Sequence, residues 1–171
     1  ARAVAGQGCR HQDHHLDRAV GSIRATVTAW IDQSPPQLAA VIHLVVPAYR
    51  IQMEMQAAIQ EIRGLLASQG VKPCGPWFTH HFRTPTDTFD FEVCFPVTQP
   101  IVASGRVQNS ELAEAKVART EYRGDYSGLG AAWGQFMTWI AEQGLQTRDD
   151  LWEVYLQEGP EPVTQLNRPL L

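Results

Sequence analysis

One carboxylate, Glu153, is the side chain in this 171-residue sequence whose setting best suits chemistry. In residues 151–156 the two-residue period of a strand puts Glu153 and Tyr155 on one face and Trp152 on the other. A half-exposed strand with its glutamate in water is the simpler interpretation. If that face instead lies beneath helices, burial would raise the pKa of the carboxyl group or make it a partner for a cation.

Aromatic residues supply the second indication of a site. Three of the five tryptophans lie close together in the second half of the chain: Trp133, Trp139 and Trp152. Most of them must fill the core. Trp133 and Tyr126 are the better binding candidates because Gly130 and Gly134 lie nearby, four residues apart on a predicted helix. Each glycine costs about 1 kcal/mol relative to alanine, which is tolerated where a helix, a strand or a ligand approaches the backbone. Tyr155 adds a ring face suited to a cation.

The histidines and cysteines do not predict a metal site. The sequence Cys9-x-His11-x-x-His14-His15 matches no standard structural zinc spacing and lies in a segment without a predicted framework. His80 and His81 are adjacent on a predicted strand, so they point to opposite faces and cannot chelate together. No phosphate loop, nucleophile elbow, zinc-protease helix or dinucleotide fingerprint is present in the sequence. We therefore expect no metal and no cofactor.

Composition and charge exclude several classes of protein. The hydrophobic fraction of 44% and the charged fraction of 19% are those of a globular protein. The net charge is −4 and the basic residues are scattered, which argues against nucleic-acid binding. The longest apolar stretch, residues 38–48, is too short to span a bilayer. Three widely spaced cysteines (Cys9, Cys74 and Cys94) predict no disulfide framework, and no secretory signal is visible, so we expect a cytoplasmic protein.

The elements that must hold these residues follow from periodicity. Apolar alternation predicts strands at residues 23–31, 38–46, 77–83, 88–97, 116–122, 151–157 and 163–169. Helical stripes predict helices at residues 51–68 and 126–143, ended by Gly70 and Gly144 as left-handed caps. A connector with Pro100 and Gly105 links the two groups of elements. Residues 1–22 are expected to form a flexible leader or an expression remnant, and residues 23–171 one ligand-binding domain.

The predicted elements occur twice, at an offset close to 73 residues. Each copy is a strand–helix–strand–strand module, at residues 38–97 and 106–171, and the repeat carries Tyr49 to Tyr122 and Trp77 to Trp152. The predicted fold is α+β, an antiparallel sheet with both helices on one face. The seam between modules is a preferred place for a ligand. The offset matches three unlike pairs there: Phe78 with Glu153, His80 with Tyr155, and Glu92 with Gln165.

Several motifs resemble the GyrI-like small-molecule-binding family, which has the fold of the effector-binding domains of multidrug-sensing AraC/MerR-type regulators. They cover residues 75–82, 89–93, 96–97, 105–107, 117–124, 126–134, 150–153 and 166–170. The resemblance implies a ligand cavity between two helices and a buried glutamate, matched by Glu153, that faces cationic aromatic ligands. Two positions differ from the family. Asp125 replaces the proline of its Gly-Pro-Tyr turn, and Gln165 replaces a common glutamate, which weakens any preference for cations.

Three functions remain open from the sequence. The resemblance favours a standalone binding protein for hydrophobic small molecules, cationic aromatic ones in particular. Its predicted binding residues are Glu153, Tyr155, Tyr126, Trp133, His80 and Phe78. The first alternative is a hydrolase of strained electrophilic small molecules with Glu153 as general base. The second is an inhibitor of the gyrase type that acts through a protein partner. Direct binding to nucleic acid is not expected, because the leader lacks the helix pair of a helix-turn-helix.

Overall fold

The computed structural model describes residues 28–171, and the fold in this part of the chain is α+β as predicted. Its strands are β1 (Ala29–Ser34), β2 (Gln37–Pro47), β3 (Phe78–His81), β4 (Thr88–Pro96), β5 (Gln108–Leu112), β6 (Ala115–Arg123), β7 (Leu151–Gln157) and β8 (Val163–Pro169). Its helices are α1 (Ile51–Ser68) and α2 (Leu129–Glu142), each entered through a 3-10 turn (Ala48–Arg50 and Tyr126–Gly128). The predicted leader, its Cys9, His11, His14 and His15, and most of the strand predicted at residues 23–31 lie outside the described residues.

The eight strands form one antiparallel sheet in the order β1-β6-β8-β7-β3-β4-β2-β5. The two modules meet at its centre, where β3 pairs with β7 and Thr79 lies directly opposite Glu153. Both helices pack on the face that carries these two residues. Helix α1 covers Ile42 and Val93 with its buried residues, and α2 covers Leu166. The registers place all three strand residues in one row with Thr79 and Glu153.

Two short links force the sheet to curl. Pro35 and Pro36 join β1 to β2, and Ala113 and Glu114 join β5 to β6, although each link connects strands six places apart in the sheet. In a flat sheet six places would measure about 29 Å, whereas a two-residue link spans at most about 10 Å. The edges must therefore approach each other, and Gln33 of β1 indeed donates a 3.1 Å hydrogen bond to Glu114.

The curl turns the helix-free face of the sheet into an interior. Phe78, Cys94, Val117 and Trp152 lie on this face and are at most 4% exposed. Leu112, at the end of β5, packs against residues from both sides of this interior. The sheet therefore has two buried faces, one under the helices and one inside the curl.

Strand β5 replaces the connector that the sequence predicted. Its residues Gln108, Asn109 and Ser110 are polar and carry no apolar alternation, because β5 is an edge strand that pairs only with β2. Strand β1 occupies the equivalent edge beside β6. Each half thus contributes its first strand to the edge of the other half, an exchange that the sequence pattern did not reveal.

The offset between the two halves is not constant. Ile51 and Leu129 start the helices 78 residues apart, Gly70 and Gly144 end them 74 residues apart, and the last strands end 73 residues apart. The difference arises because α1 has 18 residues and α2 has 14. The predicted match of Tyr49 with Tyr122 is therefore wrong, since Tyr49 lies in the turn before α1 and Tyr122 lies in β6.

The predicted glycine caps are confirmed. Gly70 and Gly144 follow the two helices with φ angles of 67° and 69°. In this left-handed conformation a side chain would clash with the backbone, so glycine is the residue that ends the helix at the lowest cost.

The cysteines differ from the prediction. Cys74 is disulfide-bonded, and Cys94 is free and buried. Disulfides persist mainly in oxidising compartments, so the cysteines give no support to the cytoplasmic location predicted from their number. Among residues 28–171, no helix combines the length and the apolar character that a bilayer span requires.

Two glycines of the α2 region should respond in opposite ways to alanine. A Cβ at Gly128 would collide with the hydroxyl group of Tyr122, which is held by the carbonyl of Asp125 at 2.8 Å. A Cβ at Gly134 would meet no atom within 4 Å. We expect Gly128→Ala to lower the free energy of unfolding by about 1–3 kcal/mol and Gly134→Ala to raise it by about 0.5–1 kcal/mol. Urea denaturation measures both, and a Gly128→Ala variant as stable as the parent would contradict the packing described.

Candidate functional site

Glu153 lies at the centre of the sheet, on the helix-covered face of β7. The register places it between Thr79 of β3 and Leu166 of β8. The predicted division of the strand is confirmed: Glu153 and Tyr155 share the helix face, and Trp152 points into the curl, where it is 2% exposed. A carboxylate thus stands between the two helices, where most side chains are apolar.

Two hydrogen bonds hold the Glu153 carboxylate. Trp133 of α2 donates its Nε1–H to Oε1 at 3.1 Å, and the Tyr155 hydroxyl donates to Oε2 at 3.1 Å. Among residues 28–171, no lysine or arginine forms an ion pair with Glu153. Burial raises the pKa of Glu153 above its ordinary value, and the bonds from Trp133 and Tyr155 only partly oppose this shift. The carboxylate is therefore solvated by two donors but has no counter-charge.

Aromatic rings form a wall beside Glu153. Tyr155 stacks on Trp77 with ring centres 4.2 Å apart, and Tyr126 meets Tyr155 edge-on at 6.0 Å. Trp77 continues the stack to Phe95 at 6.2 Å, where Arg63 of α1 lies 5.6 Å from the ring centre. Tyr126 is 45% exposed, so the wall begins at the surface and leads inward to the carboxylate.

One flank of α2 beside Trp133 is open. Gly130 and Gly134 lie on this flank, three residues before and one residue after Trp133, and no atom lies within 4 Å of the position that a Cβ would take at either. The sequence left three explanations for these glycines: a helix, a strand or a ligand near the backbone. The described helices and strands do not approach them, so the two glycines leave space next to Trp133.

A cavity of about 460 Å³ lies on the opposite flank of α2. It lies against the edge of the sheet and does not include Glu153. Its lining comprises Thr28, Trp30, Thr120, Glu121, Tyr122, Arg123, Ala132, Gln135 and Leu166. The carboxylate and the aromatic wall therefore belong to a different part of the molecule.

Phe78 and His80, both predicted to line the site, lie on the other face of the sheet. The register pairs Phe78 with Val154 and His80 with Trp152, so both point into the curl. There His80 is hydrogen-bonded through Nε2 to Asp150 at 2.9 Å. The prediction placed them wrongly because it used an offset of 73 residues at the seam. An odd offset matches residues on opposite faces of a strand, whereas equivalent residues must share a face.

Thr79 and His81 are the residues that the sequence reasoning missed. The offset of 74 residues between Gly70 and Gly144, which is visible in the sequence, matches Thr79 with Glu153 and His81 with Tyr155. The Thr79 hydroxyl lies 2.8 Å from the Tyr155 hydroxyl, and His81 Nε2 lies 3.2 Å from the Thr79 hydroxyl. Burial, with the nearby His80 as a smaller cause, lowers the pKa of His81 to about 4. The imidazole is therefore neutral at physiological pH.

The arrangement permits two kinds of chemistry. A poorly compensated carboxylate beside aromatic rings can bind a cation, and a carboxylate with a raised pKa can act as a proton acceptor. In the part of the chain that the structure describes, no group of three or more His, Cys, Asp and Glu residues is placed to hold a metal ion. The chemistry available is therefore that of Glu153 and its hydrogen-bonded neighbours.

Comparisons with known proteins agree with this site. Residues 22–167 match the sequence profile of the GyrI-like small molecule binding domain. No curated protein sequence matches the chain significantly. The C-terminal domain of EcmrR is similar in structure, with a TM-score of 0.74 and 17% identity over 85% of this chain and 98% of that domain.

Two further solved structures share the fold. SAV2435, solved with bound tetraphenylphosphonium, has a TM-score of 0.62 and 13% identity over 84% of this chain and 93% of that one. A protein from Listeria innocua described as a hydrolase has a TM-score of 0.61 and 12% identity over 84% of this chain and 91% of that one. At these identities the likeness shows a common fold.

The raised pKa of Glu153 makes the stability of the protein depend on pH. Between the ordinary value of 4.5 and the raised value, the folded state binds more protons than the unfolded state. Stability therefore falls as pH rises through this interval. We expect Glu153→Gln to raise the free energy of unfolding by about 1 kcal/mol at pH 8 and to lose this advantage as pH approaches 4.5.

Urea denaturation between pH 4.5 and pH 8 measures this effect. Glu142→Gln is the matched control, because Glu142 is exposed on α2 and should give no such pH dependence. A Glu153→Gln variant that is less stable than the parent at pH 8 would show that the carboxylate is better compensated than its described contacts allow.

Proposed function

Because the chain belongs to the GyrI-like small-molecule-binding family, we propose that it binds hydrophobic, cationic aromatic molecules between α1 and α2. Glu153 is the charge partner in this proposal, and Trp133, Tyr155 and Tyr126 provide ring surface. The single observation that carries it is a carboxylate beneath two helices that has hydrogen-bond donors but no counter-ion among the described residues.

Electrostatics favours a cation over a neutral ligand. A carboxylate that loses water needs both hydrogen bonds and an opposite charge to recover the cost of burial. Trp133 and Tyr155 supply the hydrogen bonds and leave the charge uncompensated. A ligand with one delocalised positive charge would supply the missing charge without the heavy desolvation cost of a compact ammonium group. Arg63, the cation nearest to the aromatic wall, interacts with the far ring of Phe95.

The aromatic wall favours a ligand with flat rings. The Trp77 and Tyr155 rings stack at 4.2 Å and cannot admit a ligand between them, so contact must come from their edges and from Tyr126 and Trp133. Aromatic contacts of this kind contribute about 0.5–1.5 kcal/mol each. The flank of Gly130 and Gly134 gives such a ligand room beside α2.

The structural relatives support this choice of probe. SAV2435 was solved with tetraphenylphosphonium, a delocalised cation with four phenyl rings. Direct DNA binding is not part of the proposal. EcmrR was solved in a complex with DNA, but the likeness there covers only 57% of that chain.

Hydrolysis of an electrophilic small molecule is the second candidate. It is favoured by the raised pKa of Glu153 and by the Tyr155 hydroxyl at 3.1 Å, since this pair could accept a proton from water and donate one to a leaving oxygen. The Listeria innocua protein described as a hydrolase shares the fold. Incubation with a strained electrophile such as an epoxide or cyclopropane, analysed by mass spectrometry, distinguishes the two. Water addition that Glu153→Gln abolishes would indicate an enzyme.

Binding should quench the tryptophan fluorescence in a saturable manner. We expect tetraphenylphosphonium and rhodamine 6G to bind, and Glu153→Gln to weaken both about tenfold or more, because a tenfold loss corresponds to about 1.4 kcal/mol and a desolvated cation interaction exceeds that. Glu92→Gln is the matched control: Glu92 is also a partly buried carboxylate with a raised pKa, but it lies on the other face of the sheet.

The control decides what a loss of affinity means. If Glu92→Gln and Glu153→Gln weaken binding equally, the effect reflects net charge rather than the site. If Glu153→Gln leaves the affinity for tetraphenylphosphonium unchanged, the role assigned to the carboxylate is wrong.

A further inference from the structure

The pseudo-twofold axis that relates the two halves passes through the binding site. Residues on such an axis lie next to their own counterparts, and Thr79 is both the counterpart and the direct partner of Glu153 across the β3–β7 seam. His81 and Tyr155 are the next pair of counterparts on the same face. The duplication therefore brings four positions of the helix face together, and the two halves fill them with different side chains.

These four side chains form one hydrogen-bonded chain. It runs from Glu153 to the Tyr155 hydroxyl (3.1 Å), from there to the Thr79 hydroxyl (2.8 Å), and from Thr79 to His81 Nε2 (3.2 Å). Each hydroxyl has one proton to donate. Since Tyr155 donates to Glu153, it must accept from Thr79, and Thr79 must accept from the Nε2–H of His81. All donors in the chain then point towards the carboxylate.

His81 has the surroundings of an anchor for this direction. Its ring is 5% exposed and stacks on Phe91 with ring centres 4.9 Å apart and planes 12° apart. Its Nδ1 is buried without a hydrogen-bond partner. A buried N–H without an acceptor is rarer than a buried acceptor without a donor, so the proton belongs on Nε2. This tautomer gives the chain a donor at its far end.

We propose that Thr79 and His81 are positioning residues for the Glu153 site: they fix the direction of the chain, so that the hydroxyl proton of Tyr155 points to the carboxylate and keeps it anionic for a cationic ligand. This inference rests on the proposed function and deepens it. Hydrogen bonds in series polarise one another, so a donor two residues away strengthens the bond that Glu153 receives.

Other charged and titratable groups face this site from the neighbouring elements. Tyr126 precedes α2, Glu158 follows β7 and accepts a bond from Trp77, and Arg63 projects from α1. His80 lies behind His81 on the other face of β3. The test therefore needs a change within the chain that leaves all of these groups in place.

Thr79→Val is that change, because it replaces a hydroxyl with a methyl group of similar size in a residue that is 1% exposed. Thr164→Val is its matched control. Thr164 is fully buried on the same face, directly opposite Tyr155 on β8, and its hydroxyl has no hydrogen-bond partner. Thr79→Ser restores the hydroxyl without the methyl group. His81→Phe keeps the stacked ring, removes the far donor, and serves if Thr79→Val does not fold.

Two NMR measurements on the ligand-free protein give the result. A ¹³C titration of the Glu153 carboxyl group should show a midpoint about half a pH unit higher in Thr79→Val and His81→Phe, as expected for a weakened donor chain, and an unchanged midpoint in Thr164→Val and Thr79→Ser. The ¹⁵N shifts of the His81 ring should show the Nε2–H tautomer in the parent. Equal midpoints in Thr79→Val and Thr164→Val, or a His81 proton on Nδ1, would overturn the inference.

Cation binding gives the functional readout. Affinity for tetraphenylphosphonium is lost as pH falls through the Glu153 midpoint, and a higher midpoint in Thr79→Val moves this loss to higher pH. Near the midpoint we expect about threefold weaker binding than in Thr164→Val, which is half a pH unit on a logarithmic scale. If the parent binds no cation, the proposed function fails while the ligand-free titration still tests the chain. If Glu153 governs binding but the midpoints agree, only the chain is wrong.

Discussion

The burial of one carboxylate beneath two helices is the constraint on which the rest of the site depends. Glu153 has two hydrogen-bond donors, Trp133 and Tyr155, and no basic partner in the described chain. Its cost to the fold is tolerated because the surrounding side chains are already committed to it. Trp133 and Tyr155 direct their only polar atoms at the carboxylate, and Thr79 and His81 support Tyr155 from behind. A protein selected only for stability would place an apolar residue at this position.

The duplicated fold explains how such a site can exist at the centre of a small protein. The curled sheet buries its helix-free face, so packing inside the curl by residues such as Phe78 and Trp152 stabilises the sheet without help from the seam. Each helix then covers the outer strands of its own half, and the seam between them is left to Glu153, Thr79 and the aromatic wall. The shorter α2, with Gly130 and Gly134 beside Trp133, keeps this region open.

Local pattern sufficed for the elements and for the face of Glu153. Helical stripes and glycine caps placed both helices, and the period of β7 put Glu153 and Tyr155 together. The errors came from long-range information. The assignment of Phe78 and His80 depended on whether the offset at the seam is odd or even, which one inserted helical turn in α1 changed. Strand β5 escaped because an edge strand with polar residues has no alternation to detect. The order of pairing, and with it the curl, follows from contacts between distant residues.

The central claim is that a cationic ligand meets the charge of Glu153, and proton release on binding tests it most directly. At a pH between 4.5 and the raised pKa, a fraction of Glu153 is protonated, and a cation that binds the anionic form must expel that proton. Calorimetric titration of tetraphenylphosphonium in two buffers of different ionisation enthalpy counts the protons released. The account predicts fractional proton release by the parent protein and none by Glu153→Gln. Binding without proton release across this pH range, or equal release by both proteins, would contradict it.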